Sequence, residues 1–199
     1  MEFLSSTRRL FAYYRTLAEG AIAQLEPEQL YISQDDDSNS IDVIMRHMAG
    51  NMLSRWTDFL TSDGEKPWRD RDEEFALADP SLPHAHQNLM TYWNSGWDCL
   101  FAAIDSLKAD DLDQTVYIRN EGHSVTDAVL RQLAHYSYHV GQIVYAAKML
   151  KTGEWKSLSI PRNQSAEFNS SKFSQERHIA HFTDGIDLSE PKKNFNDIK

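Results

Sequence analysis

SVTDAVLRQLAHYSYHVGQIVYAAKMLKTG, residues 124–153, decides the fold. The opening SVTD is an N-terminal capping signal, with Ser124 at the boundary, and Gly153 supplies the stop. Between them lies an uninterrupted amphipathic pattern, so the spacing predicts one long helix from Ser124 to about Lys151. It carries His135 and His139 four residues apart. On a helix, such a pair shares one face and presents two imidazoles to a common point. That pattern has two readings: a metal-binding turn, or two half-buried histidines bonded to neighbouring side chains. A helix-borne metallopeptidase site needs a glutamate directly after the first histidine. Tyr136 stands there, which argues against that chemistry.

Three further helical segments precede it. Leu10, Phe11, Tyr14, Leu17, Ala18, Ala21, Ile22 and Leu25 recur at spacings of three and four, predicting a helix over Phe3–Leu25. Ser40 is a suitable N-cap for IDVIMRHMAGNMLSRWTDFL, predicted helical to about Leu60. The third opens near DPSLP, with Pro83 in its first turn. It carries the stripe Leu89, Met90, Trp93, Trp97, Leu100, Phe101, Ile104 and Leu107. TVYIR, residues 115–119, alternates as a short extended piece. With almost no other strand signal, the fold class is all-α, a four-helix bundle. The link TSDGEKPWRDRDEEFALAD between helices two and three can stretch ~65 Å against a helix length of ~33 Å. It therefore permits an up-down-down-up order with a long crossover. Residues 1–169 are expected to form the bundle, and 170–199 a partly ordered polar tail, frayed near KKNFNDIK.

His47 bears on the two readings of the histidine pair. It lies two turns into helix two among Ile44, Met48 and Asn51, which should face inward, and a buried imidazole needs a partner. Three imidazoles from two helices would form a neutral-ligand site with room for solvent, as catalytic zinc sites have. Gln142 lies one turn beyond His139 and Asn51 one turn beyond His47; both, with Tyr138, are expected to support the imidazoles. His84 and His86 fall in a first turn, His123 precedes a cap, and His178 and His181 belong to the tail; all five read as surface or structural. Cys99 reads as a small core residue.

Bulk properties narrow the function. The chain has 199 residues, 41% hydrophobic and 25% charged, as in ordinary soluble domains, and a net charge of −10. An acidic surface argues against nucleic acid and against anionic membranes as partners. One cysteine excludes an internal disulfide framework and multi-thiolate zinc sites, consistent with the cytoplasm. MEFLSSTRRLFAYYR lacks the apolar stretch of a signal peptide, and no window approaches a membrane span.

A helix with one central histidine, followed at the chain's end by a long helix bearing HxxxHxGQ, resembles the DinB-like (damage-inducible protein B-like) superfamily. RWTDFLTSDGEKPWRDRDEEF, IRNEGHSV, RQLAHYSYHVGQIVYAAKMLK and SIPRNQSAEFN together resemble one uncharacterised subfamily within it, over the chain up to about Asn169. The resemblance implies an up-down-down-up bundle, a divalent-metal site on His47, His135 and His139, and a homodimer. Zinc or nickel leads the choice of ion, with iron or copper behind. Related members are assigned as bacillithiol or mycothiol S-transferases, which implies a low-molecular-weight thiol as partner and S-transfer or hydrolysis as reaction. The alternative is a non-catalytic, stress-associated metal-binding or dimerisation module. Arg69, Arg71 and Arg162 lie in segments sharing the resemblance and are placed to line a substrate path. Their ordinary role would be surface pairing with Asp70, Asp72, Glu73 and Glu74.

Overall fold

The computed structural model describes residues 2–189; the KKNFNDIK segment lies outside them. Four long helices dominate: α1 (Phe3–Ile22), α2 (Ile41–Trp56), α3 (Ala85–Ser106) and α4 (Val125–Leu150). A hairpin of β1 (Thr115–Ile118) and β2 (Glu121–Ser124) precedes α4, and a short α5 (Ser165–Phe173) follows it. The chain is thus mainly helical, with the extended piece at 115–119 forming half of a two-stranded antiparallel sheet. α2 packs chiefly on α3 and α1 on α4; contacts of α2 with α4 and of α1 with α3 complete the ring. No helix among the described residues is long and apolar enough to cross a membrane.

Several boundaries differ from expectation. α1 stops at Ile22 because a 3₁₀ turn, Pro27–Tyr31, takes over, its entry fixed by the Glu26 backbone N–H donating to Gln29 Oε1 at 2.8 Å. α2 stops at Trp56, short of Leu60. Asp58 adopts φ 49°, and the N–H groups of Thr61 and Ser62 turn back to its carbonyl. Asparagine and aspartate tolerate that left-handed conformation better than most residues. Ser40 does occupy the N-cap, but its hydroxyl donates to the Asp42 carboxylate instead of accepting a backbone N–H. α3 begins at Ala85, so Pro83 lies before it and not in its first turn; His84, at φ 64°, makes the corner. α4 starts as its capping signal predicts, with Asp127 N–H donating to Ser124 Oγ at 3.0 Å.

α2 is the centre of the molecule. Of its residues only Arg46 and Leu53 are not buried. An amphipathic helix should keep one wet face; here the long link covers that face. Ser54 Oγ donates to Gly64 O at 2.9 Å and accepts from Lys66 N–H at 3.2 Å. Arg46 donates to the carbonyls of Glu73 and Ala76. The link therefore does more than cross the helices: it is stapled along α2. α3 also approaches α2 very closely, since a Cβ on Gly96 would stand 2.9 Å from Ala49 Cα. Glycine there is a packing requirement.

Tyr136 organises the core between the helices. It is fully buried, with Phe11 and Trp97 rings at 5.9 and 6.1 Å. Its hydroxyl accepts from Trp56 Nε1–H at 3.2 Å and donates to Asn51 Oδ1 at 2.9 Å, which satisfies three buried polar groups at once. In the tail, His181 takes the structural of its two expected roles and His178 the surface one. His181 is buried, its Nε2 lies 3.2 Å from Ser6 Oγ, and Asp184 pairs with Arg9, which returns the segment to α1.

Candidate metal centre

Helix spacing and helix packing together build the site. His135 and His139 lie one turn apart on α4, and their Nε2 atoms stand 3.1 Å from each other. α2 brings His47 opposite them, with ring centroids 5.5 Å from His135 and 5.0 Å from His139. One ligand atom from each of the three lies within 4.8 Å of the others. The three histidines are positioned to bind a metal ion.

Each ring is oriented from behind. His47 Nδ1–H donates to Glu74 Oε2 at 2.9 Å, and His139 Nδ1–H donates to Gln142 Oε1 at 2.7 Å. With those protons placed, the Nε2 lone pairs of both rings are the ones left for an ion, the arrangement by which outer partners fix metal-binding tautomers. Two nitrogens each ~2.0–2.1 Å from one ion lie about 3.0–3.4 Å apart, so the 3.1 Å between His135 and His139 already has ligand spacing. Nitrogens that close share either a proton or a cation.

Electrostatics favour the neutral form of the two rings on α4. Burial, then the charges of His139, His47, Arg55 and Arg69, push His135 down to about 3. Burial also lowers His139, against the opposing hydrogen bond from Gln142. Neutral imidazole is the ligating form, so the lowered pKa of each favours ligation. Burial would raise Glu74, yet its bonds to His47 and Arg69 outweigh that and hold the carboxyl below its ordinary value. Arg69 grips Glu74 through two bonds, Nε–Oε1 at 2.7 Å and Nη2–Oε2 at 2.9 Å. An arginine fork on a carboxylate is both strong and directional.

The other expected residues fall in different places. Gln142 touches His139, and the Tyr138 ring stands edge-on to it at 5.1 Å. Asn51 is turned away, into the Tyr136 hydroxyl. Arg69 is not free to meet a ligand. Its side chain is only 3% exposed and its guanidinium is committed to Glu74, in a buried pair and not a surface one. Arg71 is exposed and lies over the Phe75 ring at 5.0 Å, while Phe75 in turn packs against His47. Arg162 is exposed on the segment leading to α5. Glu74 was missed from sequence because it sits in the acidic run RDRDEEF, which reads as solvated, and 27 residues from its partner.

A cleft of about 480 Å³ opens between α2, α4 and the segment before α2 and reaches the site through Gln142. Ile44, Tyr138, Gln142 and Tyr145 line it, so Gln142 belongs both to the cleft and to the support of His139.

A family of proteins of unknown function, DUF1572, matches residues 1–164, and the chain belongs to that family. DUF1572 is grouped with the DinB-like families. No curated protein and no solved structure matches the chain.

Proposed function

We propose that this is a metal-dependent protein of the DinB-like kind, an up-down-down-up bundle acting in the cytoplasm. In this reading His47, His135 and His139 hold one divalent ion, zinc or nickel before iron or copper. The observation that carries it is the convergence of three imidazoles within 4.8 Å, backed by Glu74 and Gln142. A divalent ion bound by three neutral ligands keeps its full charge and favours the deprotonated form of a thiol or water beside it. Thiol S-transfer, with hydrolysis as its counterpart, is the reaction class this supports.

The chain's own groups have separable tasks. Glu74 fixes the tautomer and plane of His47, and Arg69 fixes Glu74. Gln142 does the same for His139 and presents its side chain to the cleft, where Ile44, Tyr138 and Tyr145 offer an apolar wall to the body of a ligand. Tyr136, at the position where a peptidase would carry its base, takes no part in proton transfer. Its phenol is buried, its pKa is raised by that burial, and its hydroxyl is occupied on both sides.

Metal content tests the ligand set. Alanine at His47, His135 or His139 should empty the purified protein of divalent ion, while His84→Ala and His178→Ala should retain it; loss in the latter pair refutes the assignment. Turnover of an electrophile that requires an added thiol and vanishes in His139→Ala supports transfer, and thiol-independent turnover supports hydrolysis. Exposed Tyr138, Tyr145 and Met149 along α4 favour a second reading, a non-catalytic metal-binding and dimerisation module. In either case a homodimer is proposed. Light scattering should give twice the 22.9 kDa chain mass, and a monomer at micromolar concentration would remove that part.

A further inference from the structure

Eight residues beyond His47 on α2, Arg55 is 4% exposed, and its Nε and Nη1 are buried without hydrogen-bond partners. It forms no ion pair among the described residues. The link lies directly on it: a Cβ at residue 64 would stand 2.8 Å from Arg55 Nη1, so any larger residue there would have to displace the arginine. That closure brings Lys66, 8% exposed, alongside. Its ammonium donates to the Asp63 carbonyl and likewise joins no carboxylate among the described residues. Burial pushes both cations below their ordinary pKa values, outweighing the opposing charges of Asp58 and Asp63 on Lys66 and of Glu65 on Arg55.

Glu65 and Asp63 act on Arg55, and Asp58 and Asp63 on Lys66, only from beyond ion-pair distance, which is unexpected for two buried cations in a chain of net charge −10. A buried cationic donor without a hydrogen-bonded partner is unfavourable, and protein interiors normally supply one. The nearby polar groups do not supply the missing hydrogen bonds. Gln132 Oε1 is one unpartnered buried acceptor. His135 Nδ1 is also buried without a partner, and once Nε2 serves an ion this nitrogen carries the proton and becomes another donor. Donors therefore exceed acceptors along this stretch of α2 and α4.

The placement relates this excess to the histidines. His47, Asn51 and Arg55 follow one another at intervals of four along one stripe of α2. Eight residues span ~12 Å of axis, and long helical side chains lean back towards the N-terminus, here towards His47. The Arg55 charge is among those pressing on His135. We infer that the small molecule served by the trihistidine site carries an oxyanion, a carboxylate or phosphate-type group, that Arg55 and Lys66 receive within about two helical turns of His47. This rests on reading the histidines as ligands of an ion with an open position.

The test compares three thiols of similar length on cobalt-loaded protein: 3-mercaptopropionate, 2-mercaptoethylphosphonate and 3-mercaptopropanol. Affinities are read from the cobalt absorption. At least one acid should bind ~10-fold or more tighter than the alcohol, as a charge-assisted contact implies, and the tighter acid identifies the oxyanion. Arg55→Met should bring the acids to the level of the alcohol with cobalt content retained. Acids no tighter than the alcohol, or a preference surviving Arg55→Met intact, overturn the inference. If that variant does not fold, Lys66→Gln carries the same comparison and should weaken the preference. Silence of the cobalt spectrum towards all three thiols would instead refute the open position. The anion site is then decided on metal-free protein: a saturable rise in Tm with orthophosphate or succinate, absent in Arg55→Met, upholds it, and no rise overturns it.

Discussion

Replacing Glu74 by glutamine should separate two effects that the wild-type structure combines. The substitution keeps the side-chain volume but removes the charge that faces both His47 Nδ1 and the Arg69 guanidinium. Arg69, with a side chain 3% exposed, is then a buried cation whose remaining counter-ion is Glu65, 3.9 Å from its Nη1. Breaking one partner of a buried pair costs about 3–5 kcal/mol. At ~2–4 °C per kcal/mol for a chain of this size, Tm should fall by about 6–20 °C. Loss of the carboxylate behind a ligating histidine should independently weaken metal binding by about 10–100-fold. Thermal melts of metal-free protein read the first effect, and competition with a chromogenic chelator reads the second. Adding Arg69→Met removes the stranded charge, so the double variant should recover most of the lost Tm while its metal affinity stays low. Recovery of both, or metal affinity within twofold of wild type in the single variant, would refute the role given to Glu74.

Tyr136→Phe keeps the ring packing but strands Asn51 Oδ1 and Trp56 Nε1; it should cost about 1–3 kcal/mol in urea unfolding without altering metal stoichiometry. A cost near zero would mean that the three-way bond contributes little. The pH dependence of the metal-free protein has a definite sign. His135 is lowered to about 3 when folded, so the unfolded chain binds more protons at intermediate pH. Stability should then decline as pH falls from about 6.5 towards 3. Glu74, with its folded pKa depressed, contributes stability that is complete above its unfolded value and is lost below it, steepening the acid limb. Melting temperatures flat between pH 7 and 4 would contradict the burial of these groups.

The parts of this architecture that sequence conveys are those whose signals are local. α4 announces itself through Ser124, its periodicity and Gly153, and the α3 stripe from Leu89 to Leu107 packs as its spacing implies. The histidine pair follows from helix geometry alone. What stays illegible is set by contacts between distant residues. Nothing in WTDFL marks the end of α2, because Phe59 and Leu60 prolong the apolar pattern and only the backbone of Asp58 breaks it. Asn51 and Gln142 look equivalent as polar residues one turn past a histidine. Tertiary packing turns one to Tyr136 and the other to His139. Arg55 continues the polar rhythm of a surface helix until the link covers it. His181 looks like tail polarity until its segment meets α1.

The stapling of the link along α2 also determines where this chain tolerates insertion. Ordinary connections between helices lengthen at little cost. Between Gly64 and Glu74 both ends are fixed, one by Ser54 and the other by His47. One added residue there would swing the Glu74 carboxylate off its imidazole or lift Gly64 from Arg55. From Leu77 to Pro83 the chain is exposed throughout, and extra length can be absorbed. The link is therefore two segments in series: a measured spacer that belongs to the site, and a free loop that only joins it to α3.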